Sequence, residues 1–270
     1  MRIKKIYVVI ITVFAILFAG CDNSENEVEL IDEFAAIANN STGLTTKSIK
    51  LPESGSALYF NGYDNFIEVP DHESLDLANE FTISAWIYIE EYREWASILT
   101  KGINNNNYTI HQSGPTFAGG VSGLLRFTAT PILPFPLPES TTAIPLLGWN
   151  YVAVSFDGEI VSFYLNGELD GQHAVTGPLV TNEEPLIIGA DFPGGDEYWL
   201  GCIDELRIWN KSLKKTHIKA GMTGHASPLA SALVAYWRFD EGEGNIVYDK
   251  SKNKNNGTIN GTPNWINTKD

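Results

Sequence analysis

The chain has 270 residues, with 33 aspartates and glutamates against 18 lysines and arginines and a formal charge of −15. That balance argues against nucleic acid and anionic lipid as surface partners, because both need a basic footprint. It leaves carboxylate oxygens available to hard cations.

The N-terminus must be set aside before the fold is considered. Arg2, Lys4 and Lys5 precede an apolar run from Ile6 to Phe18, which is too short to span a bilayer comfortably. Leu17-Phe18-Ala19-Gly20-Cys21 resembles a lipoprotein cleavage motif. Residues 1–20 therefore read as a lipoprotein signal peptide, with Cys21 as the lipid-accepting residue and residues 21–54 as a flexible tether. Two chains on Cys21 would suffice for stable anchoring, so the expected location is a membrane, the outer membrane or the cell surface. The acidic stretch Asp22 to Glu27 fits either a surface-export signal or a solvated linker. Removing the three basic residues of 1–20 takes the formal charge from −15 to −18. With Cys21 acylated, Cys202 has no disulfide partner. Its apolar surroundings, Trp199 to Ile203, mark it as a small buried hydrophobe.

From residue 55 onward a single domain of residues 55–270 is expected. Leu58 and Phe60 alternate with Tyr59 and Asn61, Asn61 to Asp64 turns the chain, and Phe66 to Val69 runs back. Phe81 to Ile89 is a long β-branched and aromatic run. Trp149–Phe156 and Ile160–Leu165 predict a hairpin around Asp157-Gly158, and Asn166-Gly167 predicts a second turn. Residues 103–123 read as a rim loop with a short strand. Residues 130–146 hold five prolines and cannot form a central strand; this loop either packs on a sheet as a lid or forms an exposed recognition surface. Lys211 to Met222 carries the helix signal, Ala232 to Phe239 is a late strand, and Asn-rich turns lead to Trp265. Strands separated by turn residues in this way predict an all-β fold, a two-sheet antiparallel β-sandwich.

Five segments, ALYFNGYDNFIEVP (57–70), FTISAWIYI (81–89), GWNYVAVSFDGEIVSFYLNGEL (148–169), PLIIGA (185–190) and GCIDELRIWNKSL (201–213), together resemble the laminin G-like, concanavalin A-type jelly roll. The resemblance implies a jelly-roll β-sandwich over residues 55–265 that displays binding loops, with the tail after Trp237 adding strands to it. It also implies a structural Ca²⁺, whose matching ligands here would be Asn61, Asp64 and Asp204. The bland alternative is that Asp64 caps its turn and Asp204 pairs with Arg207 or Arg238. Strict alternation puts Cys202, Asp204, Leu206 and Ile208 on one strand face. Asp249, Ser251, Asn253 and Asn255 imitate a calcium loop, but Lys254 and Asn260 stand where glycine and glutamate are needed, so an Asn-rich turn is the better reading.

Catalytic motifs are missing. There is no G-x-S-x-G, H-E-x-x-H or Walker loop. The five histidines (72, 111, 173, 217, 225) are scattered and read as surface or loop residues. Hydrolases sharing this resemblance carry an E-x-D-x-x-E strand, whereas here Asp204 and Glu205 are adjacent and cannot serve as the flanking pair that glycoside cleavage requires. Binding of a glycan, or of another extracellular macromolecule, without catalysis is the expectation, and Tyr92, Trp95, Tyr108, Tyr198 and Trp199 are the candidate ring contacts for a sugar, supported by the amides of Asn104 to Asn107. Trp86, Trp149, Trp209 and Trp237 read as core. The alternatives are a glycoside hydrolase or lyase on the same fold, or a protein-adhesion module. Oligomeric state and ligand identity are not written in the sequence.

Overall fold

The computed structural model describes residues 55–102, 107–114, 121–130, 137–175, 177–191, 197–223 and 230–267. The chain divides into two units, Met1–Ser48 and Ile49–Asp270, and every described residue lies in the second. The signal peptide, Cys21, the tether and the amides of Asn104, Asn105 and Asn106 fall outside the described residues.

Strands β1 (Ser56–Asn61), β2 (Phe66–Val69), β3 (Phe81–Ile89), β4 (Ser97–Lys101), β5 (Tyr108–Gln112), β6 (Leu125–Ala129), β7 (Trp149–Phe156) and β8 (Ile160–Leu165) are followed by β9 (Glu168–Ala174), β10 (Leu186–Ile188), β11 (Leu200–Trp209), β12 (Leu233–Trp237), β13 (Ile246–Val247), β14 (Gly257–Asn260) and β15 (Asn264–Asn267). They form two antiparallel sheets. The eight-stranded sheet runs β15-β1-β11-β3-β7-β8-β9, with β12 also on β11; the seven-stranded sheet runs β13-β14-β2-β10-β4-β5-β6. This is a jelly-roll β-sandwich, as the alternation of apolar and polar residues requires.

Between the sheets lies one core, filled from both sides by residues such as Phe60, Phe81, Ile87, Tyr108, Phe127, Phe156, Phe163, Trp199 and Trp237. Truncating any of these large rings would cost about 3–5 kcal/mol. A second cluster sits outside the eight-stranded sheet, where helix α1 (Lys215–Met222) covers Trp86, Tyr151 and Trp209 through Ile218. The helix begins four residues later than the sequence suggests. The Leu213 amide bonds Thr82 Oγ1 and that of Ser212 bonds Glu80, which keeps the preceding segment extended.

The turns divide between expectation and surprise. Asn166-Gly167 is a two-residue turn with φ of 52° and 77°, joining paired Leu165 and Glu168. That is the geometry Asn-Gly favours. By contrast, Phe156 pairs with Val161, so four residues connect the other hairpin. Asp157 Oδ1 accepts the amides of Glu159 and Ile160 instead of the chain turning on Asp-Gly alone.

Strict alternation fails in β11. Ile203, Leu206 and Ile208 all enter the core, which is possible only because Glu205 is inserted as a bulge with φ of 51°. Asp204 therefore does not share a face with Leu206 and Ile208. The bulge falls between the stretch of β11 that pairs with β1 and the stretch that pairs with β12.

The tail does join the sandwich, with β14 on β2 and β15 on β1. Its Asn-rich turn is an internal polar knot. Buried Asp249 accepts the amides of Tyr236, Ser251 and Asn255 and the Ser251 hydroxyl. Of the proline-rich segment, residues 137–146 are described. Ile144 enters the core and Glu139 bridges to Arg126 along the edge of β6, while Leu146 is exposed.

Candidate functional site

On β5, Tyr108 and Ile110 face the core, so Thr109 and His111 face outward from the seven-stranded sheet. His111 stands opposite Arg126 on β6, which puts the two side chains about 5 Å apart on that face. Trp95 lies across both. Its ring centroid is 4.8 Å from that of His111 at an interplanar angle of 26°, and 5.6 Å from the Arg126 guanidinium carbon. Since both neighbours rise from the sheet, the opposite face of the indole turns away from it, and Trp95 remains half-buried.

Local structure holds the ring there. Trp95 has φ of 63°, a left-handed conformation that a bulky residue rarely adopts. The Ala96 amide reaches the Arg93 carbonyl at 3.4 Å and the Ser97 hydroxyl bonds the Trp95 carbonyl at 3.0 Å, closing a tight turn between β3 and β4. Arg126 is clamped from two sides, with Nε donating to Glu139 at 2.9 Å and Nη1 donating to Glu94 at 2.7 Å. The second Glu94 oxygen accepts the Gly114 amide at 2.6 Å.

Beneath the indole, His111 is fully buried and neither ring nitrogen has a hydrogen-bond partner. Burial pushes its pKa down to about 3, with the Arg126 charge adding to the effect, so the imidazole is neutral. This corrects the surface reading of that histidine.

The same rim continues toward the turn after β1. Arg93 donates to the Gly62 carbonyl at 2.7 Å, and its guanidinium lies 5.7 Å from the ring centre of Tyr63, which is 73% exposed. Tyr92 bonds the Ile144 carbonyl at 2.6 Å. Of the five expected ring contacts, Trp95 lies on this rim, and Tyr92 sits beside it, partly buried and packed against the core. Tyr108 and Trp199 are not there: both are core residues, and the Tyr108 hydroxyl bonds the Leu75 carbonyl. Strand β5 turns the Tyr108 ring inward, and Trp199, just before β11, also points into the core, so adjacency to a loop in sequence misled. Tyr198 packs with Ile187, Ala190 and Phe66 in a small cluster elsewhere on the sheet. Asn107 is buried with its amide on the Val180 carbonyl.

Arg126, Glu94, Glu139, Tyr63 and Arg93 were not singled out by sequence. Alternation along Tyr108 to Gln112 could have put His111 on the outer face, but nothing local pairs it with Arg126 or Trp95.

The expected calcium ligands do not converge. Asn61 pairs with Leu200, and Asp204 lies four residues further along β11, about 13 Å away. Asn61 Oδ1 accepts the amides of Tyr63 and Asp64, and its Nδ2 donates to Asp64 at 2.8 Å. Arg93 already occupies the Gly62 carbonyl, and Asp204 is fully buried with Oδ1 on the Glu205 amide. Among the described residues no group of three or more His, Cys, Asp or Glu side chains is positioned to hold a metal ion. The residues present do not fit the ion at this position.

Cys202 is buried and free, with its thiol pushed up to about 12 by burial first and then by Glu90 and Asp204. A thiol so held is inert.

Solved structures similar to this chain share its fold. A Bacteroides ovatus protein put forward as carbohydrate-binding superposes at a TM-score of 0.67 with 18% identity, over 80% of this chain and 61% of that one. The chain thus spans less than two thirds of that protein's length. Domain 4 of the GH43 extracellular arabinanase AbnA from Geobacillus stearothermophilus, solved with arabinotriose, gives 0.49 and 23% identity over 62% and 76% of the two chains. A heptameric SAP-like pentraxin from Limulus polyphemus gives 0.48 and 16% over 65% and 85%. No curated protein sequence matches. The laminin G-type family model matches residues 61–219, more than half of the chain, which therefore belongs to the concanavalin A-like lectin/glucanase superfamily.

Proposed function

We propose that this domain binds carbohydrate without transforming it, at the rim carrying Tyr63 and Trp95, with Tyr92 beside them, and that it is displayed from a membrane by a lipid on Cys21. Trp95 is the observation that carries the reading. A half-buried indole in a left-handed turn is stacked on His111 and Arg126, and the ring face away from those two neighbours is the surface offered to a ligand. Backbone strain of this kind costs about 1–3 kcal/mol and concentrates at functional positions. A sugar offers the matching surface, since its C–H face packs on an aromatic ring while hydroxyls reach nearby polar groups. Membership of a lectin-containing superfamily supports the same partner class.

The use made of the two rim carboxylates supports binding without cleavage there. Glu94 and Glu139 grip opposite parts of one guanidinium, so neither is free to serve as the acid or base of a hydrolytic pair.

Affinity electrophoresis against a panel of soluble polysaccharides tests the reading. The purified chain should be retarded by at least one glycan, and Trp95→Ala should lose that retardation while the buried-core variant Trp199→Phe keeps it. Equal retardation of Trp95→Ala and the parent would sink the assignment to this rim. For the anchor, metabolic palmitate labelling should mark the parent and vanish in Cys21→Ala.

A further inference from the structure

Strand β4 ends in a lysine that faces the interior. Lys101 sits between Tyr108 and Leu186, on the same side of its strand as core residue Leu99, and its side chain is 0% exposed. An ammonium taken out of water is strongly disfavoured unless oxygens replace its hydration. Lys101 has five oxygens around it. Its Nζ donates to Asp71 Oδ1 at 2.6 Å, to the Glu184 carbonyl at 2.5 Å, and to the carbonyl and Oδ1 of Asn182 at 3.0 and 3.1 Å. Asp76 Oδ1 stands at 3.7 Å.

These oxygens come from three separate segments: the exit of β2, the stretch after the 3₁₀ turn Glu73–Leu75, and the approach to β10. The nitrogen therefore does the work of an ion that ties loops together. Two carboxylates, one amide oxygen and two main-chain carbonyls are also the donor set that a hard divalent cation selects, with water completing six to eight ligands. A single ammonium balances only half of the charge of two carboxylates.

We propose that this cage is a cation site filled by the chain's own Lys101, so that no divalent ion is needed there, and that truncating the side chain turns it into a calcium site. The turn after β1 is a parallel case, in which a side-chain cation, Arg93, takes the Gly62 carbonyl oxygen.

Thermal melting with EDTA and with calcium distinguishes the outcomes. The parent should melt at the same temperature in both. Lys101→Met, which keeps bulk and removes charge, should melt lower in both, since two carboxylates lose their counter-ion with no room for another. Lys101→Ala should melt lower in EDTA and recover by several degrees in calcium, with one ion bound by titration calorimetry. Should Lys101→Ala be unfolded in EDTA, calcium-induced refolding followed by circular dichroism gives the same readout, and failure to refold overturns the proposal. It is equally overturned if the parent itself gains several degrees from calcium, or if folded Lys101→Ala ignores the ion.

Discussion

A neutral imidazole locked under an indole has a consequence for stability against pH. In the folded chain the pKa of His111 lies at about 3, against 6.5 for an unburied histidine, because burial disfavours its charged form and Arg126 repels it. The unfolded state therefore binds a proton that the folded state refuses, so this residue's contribution is intact above pH 6.5 and is lost progressively as pH falls toward 3. The slope over that window is at most about 1.4 kcal/mol per pH unit. Urea unfolding at a series of pH values should show it, and His111→Gln should flatten the difference relative to the parent. Parallel curves for the two would mean that His111 takes up its proton while folded. The residue scale is also where sequence reading is weakest. Trp95 and Tyr92 could be singled out as loop aromatics, yet Tyr108 and Trp199 looked equivalent. What separates them is which rings the packed sheets draw into the core, a matter of contacts with distant segments.

At the scale of elements, β11 organises the eight-stranded sheet. Its bulge lets β1 and β12 share one edge, and the inserted Glu205 gathers the polar groups that close the gap. Glu205 pairs with Arg207 and Arg238 and accepts the Tyr236 hydroxyl, while Arg207 also reaches the Gly221 carbonyl of α1. Arg207 and Glu205 are both almost fully buried, so removing one partner leaves the other uncompensated. Glu205→Ala should lower unfolding free energy by about 3–5 kcal/mol, measured by urea titration; a change below 1 kcal/mol, within the range of about 0–1 kcal/mol typical of surface pairs, would contradict a buried network. The same strand approaches β3 closely at Gly201, where φ is 133° and an added Cβ would lie 2.0 Å from the Tyr88 carbonyl oxygen. Gly201→Ala should accordingly be among the least tolerated substitutions, visible as loss of soluble protein. Bulges of this kind escape sequence reading because a period of two carries no mark of where one residue is added. Asn166-Gly167 was legible because both positions need positive φ, which these residue types supply locally. Asp157-Gly158 misled, because an Asp side chain can cap a four-residue connection equally well.

Over the whole molecule, the two-sheet sandwich was readable from alternation, turn residues and the late strand and tail, since each strand must turn one face to a common core. The rim was not. It assembles from the turn after β1, the turn after β3, and strands β5 and β6, whose residues meet only after the sheets form. Acidic composition argued against nucleic acid but could not choose a ligand, and the calcium expectation depended on distances along β11 that no motif encodes. If Arg93 and Lys101 take the oxygens a metal would use, the carbohydrate binding proposed here should persist in chelator.

Isothermal titration of a retarded glycan into the parent and into Trp95→Ala, both in EDTA, is the decisive test of Trp95 as the sugar-binding surface. The parent should bind saturably, and the variant should lose at least tenfold in affinity, about 1.4 kcal/mol, with its melting temperature preserved. Undiminished binding by a folded Trp95→Ala, or binding that disappears in EDTA, would contradict that assignment.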